Sequence, residues 1–239
     1  RTQLRMWAAL THFFEKDYAT ALAKLQALEK ECGKHPMYPE ILYRTANVLY
    51  AMREHEEALK TADKLIGKYP DHYRYAEALA LKGDIYMGLG KLPIAAISFR
   101  EVPADDARLY DYAVFQAAKI YRALERYDLL REHLEAYVAR DDANERPRIS
   151  EALYWIGWSL QQEWRAEESF PLFEHALKRF GNDTRARAVE SILSAYSELY
   201  RKTETAITFD TWLQQATEKS LADNELTWFA RLTQFSAYR

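Results

Sequence analysis

The feature that most constrains this chain is a pair of amphipathic helical stretches meeting at a Gly88-Leu89-Gly90 corner within Glu77–Val102, EALALKGDIYMGLGKLPIAAISFREV. Leu79, Gly83 and Tyr86 mark the first stretch and Ala95 and Phe99 the second, at spacings that put each set on one helical face. The layout recurs along the chain. Ala58, Ala95, Leu130 and Ser169 mark successive second helices at intervals of about 37, 35 and 39 residues. One helical pair cannot bury its apolar face alone, so the pairs must stack on one another. The expected fold is all-α, a solenoid of about six helical hairpins plus a terminal helix.

Composition agrees and removes several function classes. Only 7 Gly and 7 Pro occur in 239 residues, too few turn formers for an all-β chain. The net charge of −3, with basic residues interspersed among acidic ones, provides no electrostatic footprint for nucleic acid. The single cysteine, Cys32, excludes an internal disulfide framework and reads as a structural thiol at a helix end. No apolar run approaches the roughly 18 residues of a membrane span, so no membrane insertion is expected of this segment. The chain opens on Arg1 rather than Met and reads as an excised piece of a longer protein, which leaves targeting signals undetermined.

The units are expected at about 2–36, 39–71, 74–103, 108–142, 148–182 and 185–221, with a terminal helix at 224–238. In the first, Leu4, Trp7, Ala8, Leu10 and Phe14 share helical spacing, and Ala21, Leu22, Leu25 and Leu28 continue on the returning helix before Gly33 and Pro36 stop it. The second uses Leu42, Ala46 and Leu49, then Ala58, Ala62 and Leu65, and closes on Lys68-Tyr69-Pro70-Asp71. The fourth uses Ala118 and Tyr121, then Leu130, Leu134 and Tyr137; Arg140–Arg148 reads as an exposed loop. The fifth carries Leu153, Ile156, Gly157 and Leu160, then Phe173 and Ala176. The sixth starts with Val189, Ile192 and Tyr196 and loses register around Trp212. Small residues at Ala46, Gly83, Ala118 and Gly157 read as close-packing positions without further function.

These residues resemble the tetratricopeptide repeat, whose pattern sets an aromatic or Leu, a Gly or Ala and a Tyr before an Ala and a Phe. The resemblance covers essentially the whole chain and is clearest over 40–180. It implies a right-handed superhelical solenoid with a concave groove lined by first helices, and protein or peptide recognition without catalysis. The long period and the closing phrases KYPD and KRFGND are similar to those of bacterial cell-envelope members, the Tol–Pal-associated and outer-membrane assembly types. That implies a periplasmic or envelope location, with the cytoplasm left open. Two roles stay open: a scaffold holding a partner in the groove, or a structural spacer or oligomerisation segment of a larger envelope protein.

Carrying the family register over predicts groove residues Tyr43, Asn47 and Tyr50, then Asp84 and Met87, then Phe115, Lys119 and Arg122, then Tyr154, Trp158, Gln161 and Gln162. The mixture suits a segment with apolar anchors and an acidic residue opposite Lys119 and Arg122. Family co-chaperones that grip a carboxylate place Lys, Asn and Arg where this chain has Met6, Leu10, Asn47, Ala80 and Asp84, so a carboxylate clamp is not expected. His12, His35, His55, His72, His133 and His175 are scattered, and no HExxH, CxxC or phosphate loop appears. His55-Glu56-Glu57 reads as a solvated helix start. No catalytic residue, metal or cofactor is expected.

Overall fold

In a computed structural model, the structure describes residues 2–105, 107–140 and 148–165, together with 168, 169, 171 and 172. Most of the returning helix of the fifth expected hairpin, the sixth hairpin and the terminal helix lie outside the described residues. All regular structure among the described residues is helical: α1 Thr2–Phe14, α2 Tyr18–Glu31, α3 Tyr38–Ala51, α4 His55–Lys68, α5 Tyr75–Gly88, α6 Leu92–Arg100, α7 Ala107–Ala123, α8 Tyr127–Val138 and α9 Ile149–Gln162. The all-α repeat fold expected from the spacing is the observed one. The chain forms two compact units, one running to Arg126 with α1–α7 and one starting at Tyr127 with α8 and α9.

A single corner geometry punctuates the helices. Lys16, Arg53, Gly90, Glu125 and Trp164 all have φ between 55° and 70°. At each, the following amide donates back to a carbonyl in the last helical turn: Asp17 to His12, Glu54 to Leu49, Lys91 to Tyr86, Arg126 to Tyr121 and Arg165 to Leu160. These bonds satisfy carbonyls that a helix end leaves orphaned, and the left-handed residue turns the chain. Glycine is the residue best suited to that conformation, yet only Gly90 uses it; the other four carry side chains at a conformational cost. Helix starts repeat as well. His35 Nδ1 accepts from the Met37 amide at 3.1 Å and His72 Nδ1 from the Arg74 amide at 3.2 Å, one repeat apart.

In the first unit each helix packs on its neighbours in sequence, and α5 also touches α3 and α7. Ala21, Leu25 and Leu28 of α2 pack with Met6 and Ala9 of α1 on one side and Ile41 and Val48 of α3 on the other. Ala46, Leu49, Ala58, Ala62, Leu81 and Ile85 form the next cluster. Facing residues are matched in size. A Cβ on Gly83 would stand 2.6 Å from the Phe99 ring, so the missing side chain is what seats Phe99, itself fully buried. Gly88 plays the same part for His55, whose ring would meet a Cβ at 2.6 Å. His55 therefore packs between α4 and α5 and beside Tyr50, with ring centroids 5.7 Å apart, whereas a solvated helix start was expected.

The buried face of α1 also departs from expectation. Met6, Ala9 and Leu10 are buried, while Leu4, Trp7 and Phe14 are 74%, 54% and 73% exposed. Helical spacing had grouped Leu4, Trp7 and Phe14 with the core. Polar contacts add register between hairpins. Glu40, buried on α3, pairs with Arg44 at 2.7 Å and with Arg74 at 2.7 Å, and accepts from Tyr73 Oη at 2.6 Å. Burial pushes the Glu40 carboxyl up, but the hydrogen bonds from Arg74 and Tyr73 and the charges of Arg44 and Arg74 outweigh it and hold the group below its ordinary range.

In the second unit α8 packs on α9. Leu130, Leu134 and Tyr137 of α8 and Ile149, Leu153, Ile156 and Leu160 of α9 are buried. Arg131 Nη2 reaches Glu163 at 2.8 Å and ties α8 to the end of α9.

Candidate partner-binding surface

The first helices α3, α5 and α7 of the first unit adjoin one another and carry equivalent positions side by side. Asn47, Asp84 and Lys119 form one such row, and Tyr50, Met87 and Arg122 another, at intervals of about 37 and 35 residues. Met87 is 36% exposed, and Lys119 and Arg122 are exposed. The remaining row, Tyr43, Ala80 and Phe115, is turned inward. Phe115 is 2% exposed and belongs to the packing, so it presents no surface, contrary to its expected place in the groove. Tyr43 is partly buried and lies under the Arg74 guanidinium, 4.9 Å from its ring centroid, beside the Glu40 network. The Asn47 amide donates to the Tyr43 carbonyl of its own helix at 2.8 Å.

Asp84 is the electrostatic centre of this face. It is partly buried, and Tyr112 Oη donates to its Oδ1 at 2.7 Å. Tyr112 is braced from behind by Phe99, with ring centroids 6.1 Å apart in an edge-on arrangement. Gly83 thus seats Phe99, Phe99 sets Tyr112, and Tyr112 reaches Asp84. Burial pushes the Asp84 carboxyl above its ordinary range, and the hydrogen bond from Tyr112 offsets this only in part. Burial, then the Asp84 hydrogen bond and charge, push the Tyr112 phenol up. The Tyr50 phenol is raised by burial and by the charge of Asp84, which places Tyr50 beside the same carboxylate.

Sequence reasoning missed Tyr112 and its hydrogen-bond partner Gln116. Both fall before or between the register positions on α7, and no spacing rule marks them; only the approach of α7 to α5 brings Tyr112 to Asp84.

The second unit has a separate aromatic group on α9. Trp158 stands edge-on to Tyr127 at 5.7 Å and to Trp155 at 5.5 Å, and Trp155 stands edge-on to Tyr154 at 5.4 Å. Tyr154, Trp158 and Gln161 are partly buried and Gln162 is exposed. Trp155 was not anticipated; its indole N–H reaches Glu151 Oε1 at 3.4 Å on the same helix. Among the described residues no group of His, Cys, Asp and Glu is arranged to hold a metal ion, and no helix is long and apolar enough to cross a membrane.

Stacked helical hairpins with one recurring corner define an all-α helical-repeat protein. Residues 40–72, the second hairpin, match the tetratricopeptide repeat family. Among solved structures, the apo form of RapI superimposes with a TM-score of 0.61 at 11% identity, covering 99% of this chain and 74% of that one. A MamA protein gives 0.55 at 16% identity, covering 86% and 97%. MamA from residue 41 onward of Desulfovibrio magneticus RS-1 gives 0.52 at 16% identity, covering 74% and 93%. At such identities the likeness is one of fold. No curated protein matches the chain.

Proposed function

We propose that this chain is a non-enzymatic scaffold that holds a peptide or domain of another protein on the outward face of its first helices. The observation that carries this reading is the row of unlike side chains at equivalent positions. Where packing repeats, the register is filled with interchangeable small residues, Ala9, Ala46, Gly83 and Ala118, all buried. On the neighbouring face it is filled with Asn47, Asp84 and Lys119, then Tyr50, Met87 and Arg122. Tyrosine and methionine supply contact area, while the charged groups orient a partner. The Tyr154–Trp155–Trp158 group offers a second such surface on the other unit.

The test is recovery of partners from native extract by wild type beside Met87→Glu and Tyr154→Ala/Trp158→Ala, with circular dichroism to verify that each variant is folded. Loss of a partner with either variant supports the scaffold reading; equal recovery by all three proteins overturns the surface assignment. The envelope location suggested by the KYPD and KRFGND phrases is read from the same experiment, by fractionating the extract.

A second reading, a spacer or self-associating segment, is favoured by Leu4, Trp7 and Phe14, which leave an apolar stripe on α1 open to solvent. A concentration-dependent mass in light scattering that Trp7→Glu abolishes would establish it. A monomer at all concentrations would remove it.

A further inference from the structure

The scaffold reading leaves open what the first unit recognises, and the electrostatics around Asp84 narrow it. This carboxylate is partly buried on α5 between α3 and α7, and its hydrogen bond comes from a neutral phenol, Tyr112 Oη at 2.7 Å. No basic side chain of the described residues acts on its charge. Lys82, two residues earlier on α5, is committed to Asp63 at 2.9 Å. Compare Glu40, a carboxylate buried on α3, which is met by two guanidinium groups. The fold compensates one of these charges and leaves the other uncompensated. A carboxylate partly withdrawn from water without a cation is costly, and a cation arriving from outside would offset that cost.

The surroundings suit such a cation. The phenols of Tyr50 and Tyr112 both lie within reach of the Asp84 charge. Aromatic faces beside a carboxylate attract a lysine ammonium or an arginine guanidinium. Met87, one turn along α5 and 36% exposed, offers an adaptable apolar contact for the aliphatic stem. On the adjoining helix the equivalent of Asp84 is Lys119, exposed and of opposite sign. Packed helix axes lie about 8–10 Å apart, and an extended peptide advances about 3.3 Å per residue.

Resting on the scaffold reading, we infer that Asp84 is the anchor for a lysine or arginine side chain of a bound extended peptide. An acidic side chain about three residues away along that peptide faces Lys119. The ligand class is thus a dipolar segment, basic and acidic side chains about three residues apart with apolar residues between. This refines the acidic anchor expected from Lys119 and Arg122 by adding its basic counterpart.

The experiment is fluorescence anisotropy with labelled twelve-residue peptides of Leu, Tyr, Ala and Ser that carry one Lys and one Glu. The panel covers every separation from one to six residues in both chain orders. Wild type should prefer separations of two to four. Replacing the peptide Lys by Gln should weaken the best peptide about fivefold to tenfold, and Asp84→Asn should abolish that sensitivity. Glu56→Gln, which removes an exposed carboxylate of the same unit, should leave it intact. Asp84→Asn keeps the side-chain shape and an acceptor for Tyr112, and removes an uncompensated charge, so it should melt no lower than wild type. If Lys→Gln weakens binding equally in wild type and Asp84→Asn, the anchor assignment is overturned. Peptides that bind without regard to charge, yet are lost with Met87→Glu, overturn the anchor and leave the scaffold reading standing. If no peptide of the panel binds wild type, the anchor falls, and partner recovery from extract decides the scaffold reading separately.

Discussion

Helices α1 and α3 occupy the same register one repeat apart, and the same face of each has opposite fates. Ile41, Thr45 and Val48 of α3 are buried, Ile41 and Val48 against Ala21, Leu25 and Leu28 of α2. Their equivalents Leu4, Ala8 and Thr11 on α1 are exposed, and no described helix packs over them. The opposite face shows no such contrast: Ala9 and Ala46 are each wholly buried against the returning helix of their own hairpin. The within-hairpin contact is therefore a property of the repeat, while the between-hairpin contact depends on a neighbour being there. An apolar residue in a solenoid stabilises only when its neighbour is in place.

The sharpest test of that contrast pairs two truncations. Ile41→Ala should cost about 3 kcal/mol by chemical denaturation, the usual range for emptying a filled core site. Leu4→Ala should change stability by less than about 0.5 kcal/mol, as for an exposed position. Equal effects at the two sites would mean that the α1 face is covered in solution.

The next effect is polar. Glu40 has Gln3 as its exposed counterpart on α1, so Glu40→Ala should destabilise by about 2–3 kcal/mol, since it strips the partner from Arg74 and Arg44, and Gln3→Ala should be silent. The Glu40 carboxyl is held below its unfolded value, so its contribution is fully present above the unfolded range near about 4.3 and is lost as pH falls through the folded value. In acid titrations followed by circular dichroism, Glu40→Gln should flatten that part of the pH dependence. An unchanged acid profile would show that other carboxylates dominate.

Side-chain matching within the hairpins gives the third. Gly83 faces Phe99, whereas at the corresponding places Ala46 faces Ala62 and Ala9 faces Leu25. Gly83→Ala should cost about 1–3 kcal/mol, because the new Cβ displaces the Phe99 ring. Adding Phe99→Leu should recover part of the loss; a lack of recovery would place the strain elsewhere. The same displacement should loosen Tyr112 and lower any affinity read at Asp84.

The smallest effects belong to the corners. Arg53→Gly and Lys16→Gly relieve a left-handed conformation in residues with side chains, and each should stabilise by up to about 1 kcal/mol. Their equality would confirm that corners, unlike faces, do not sense their neighbours. Thermal melts of the two variants are enough to decide.

Much of the architecture was legible in the chain because helix packing imposes a period. Gly83, Ala46 and Ala118 could be read as close-approach positions, and Ala95 and Phe99 as markers of a returning helix, from spacing alone. The surface was less legible. Asp84 and Met87 follow from the register, but Phe115, at the register of Tyr43, is drawn into the core, and His55 is packed where its acidic neighbours suggested solvent. Tyr112 carried no signal at all, since its role depends on a contact across 28 residues.

By itself, the sequence determined the all-α class, the hairpin period, the small residues where helices approach closely and the places where the chain turns. Those are local facts, set by residues three or four apart on one helix and by the returning helix a few residues later. Only tertiary structure decided which apolar stripe is covered, and that Glu40 finds two guanidinium groups while the partly buried Asp84 is met by a phenol. Stacking joins residues tens of positions apart, and whether a side chain is core or surface depends on the neighbour that arrives, which no single helix encodes.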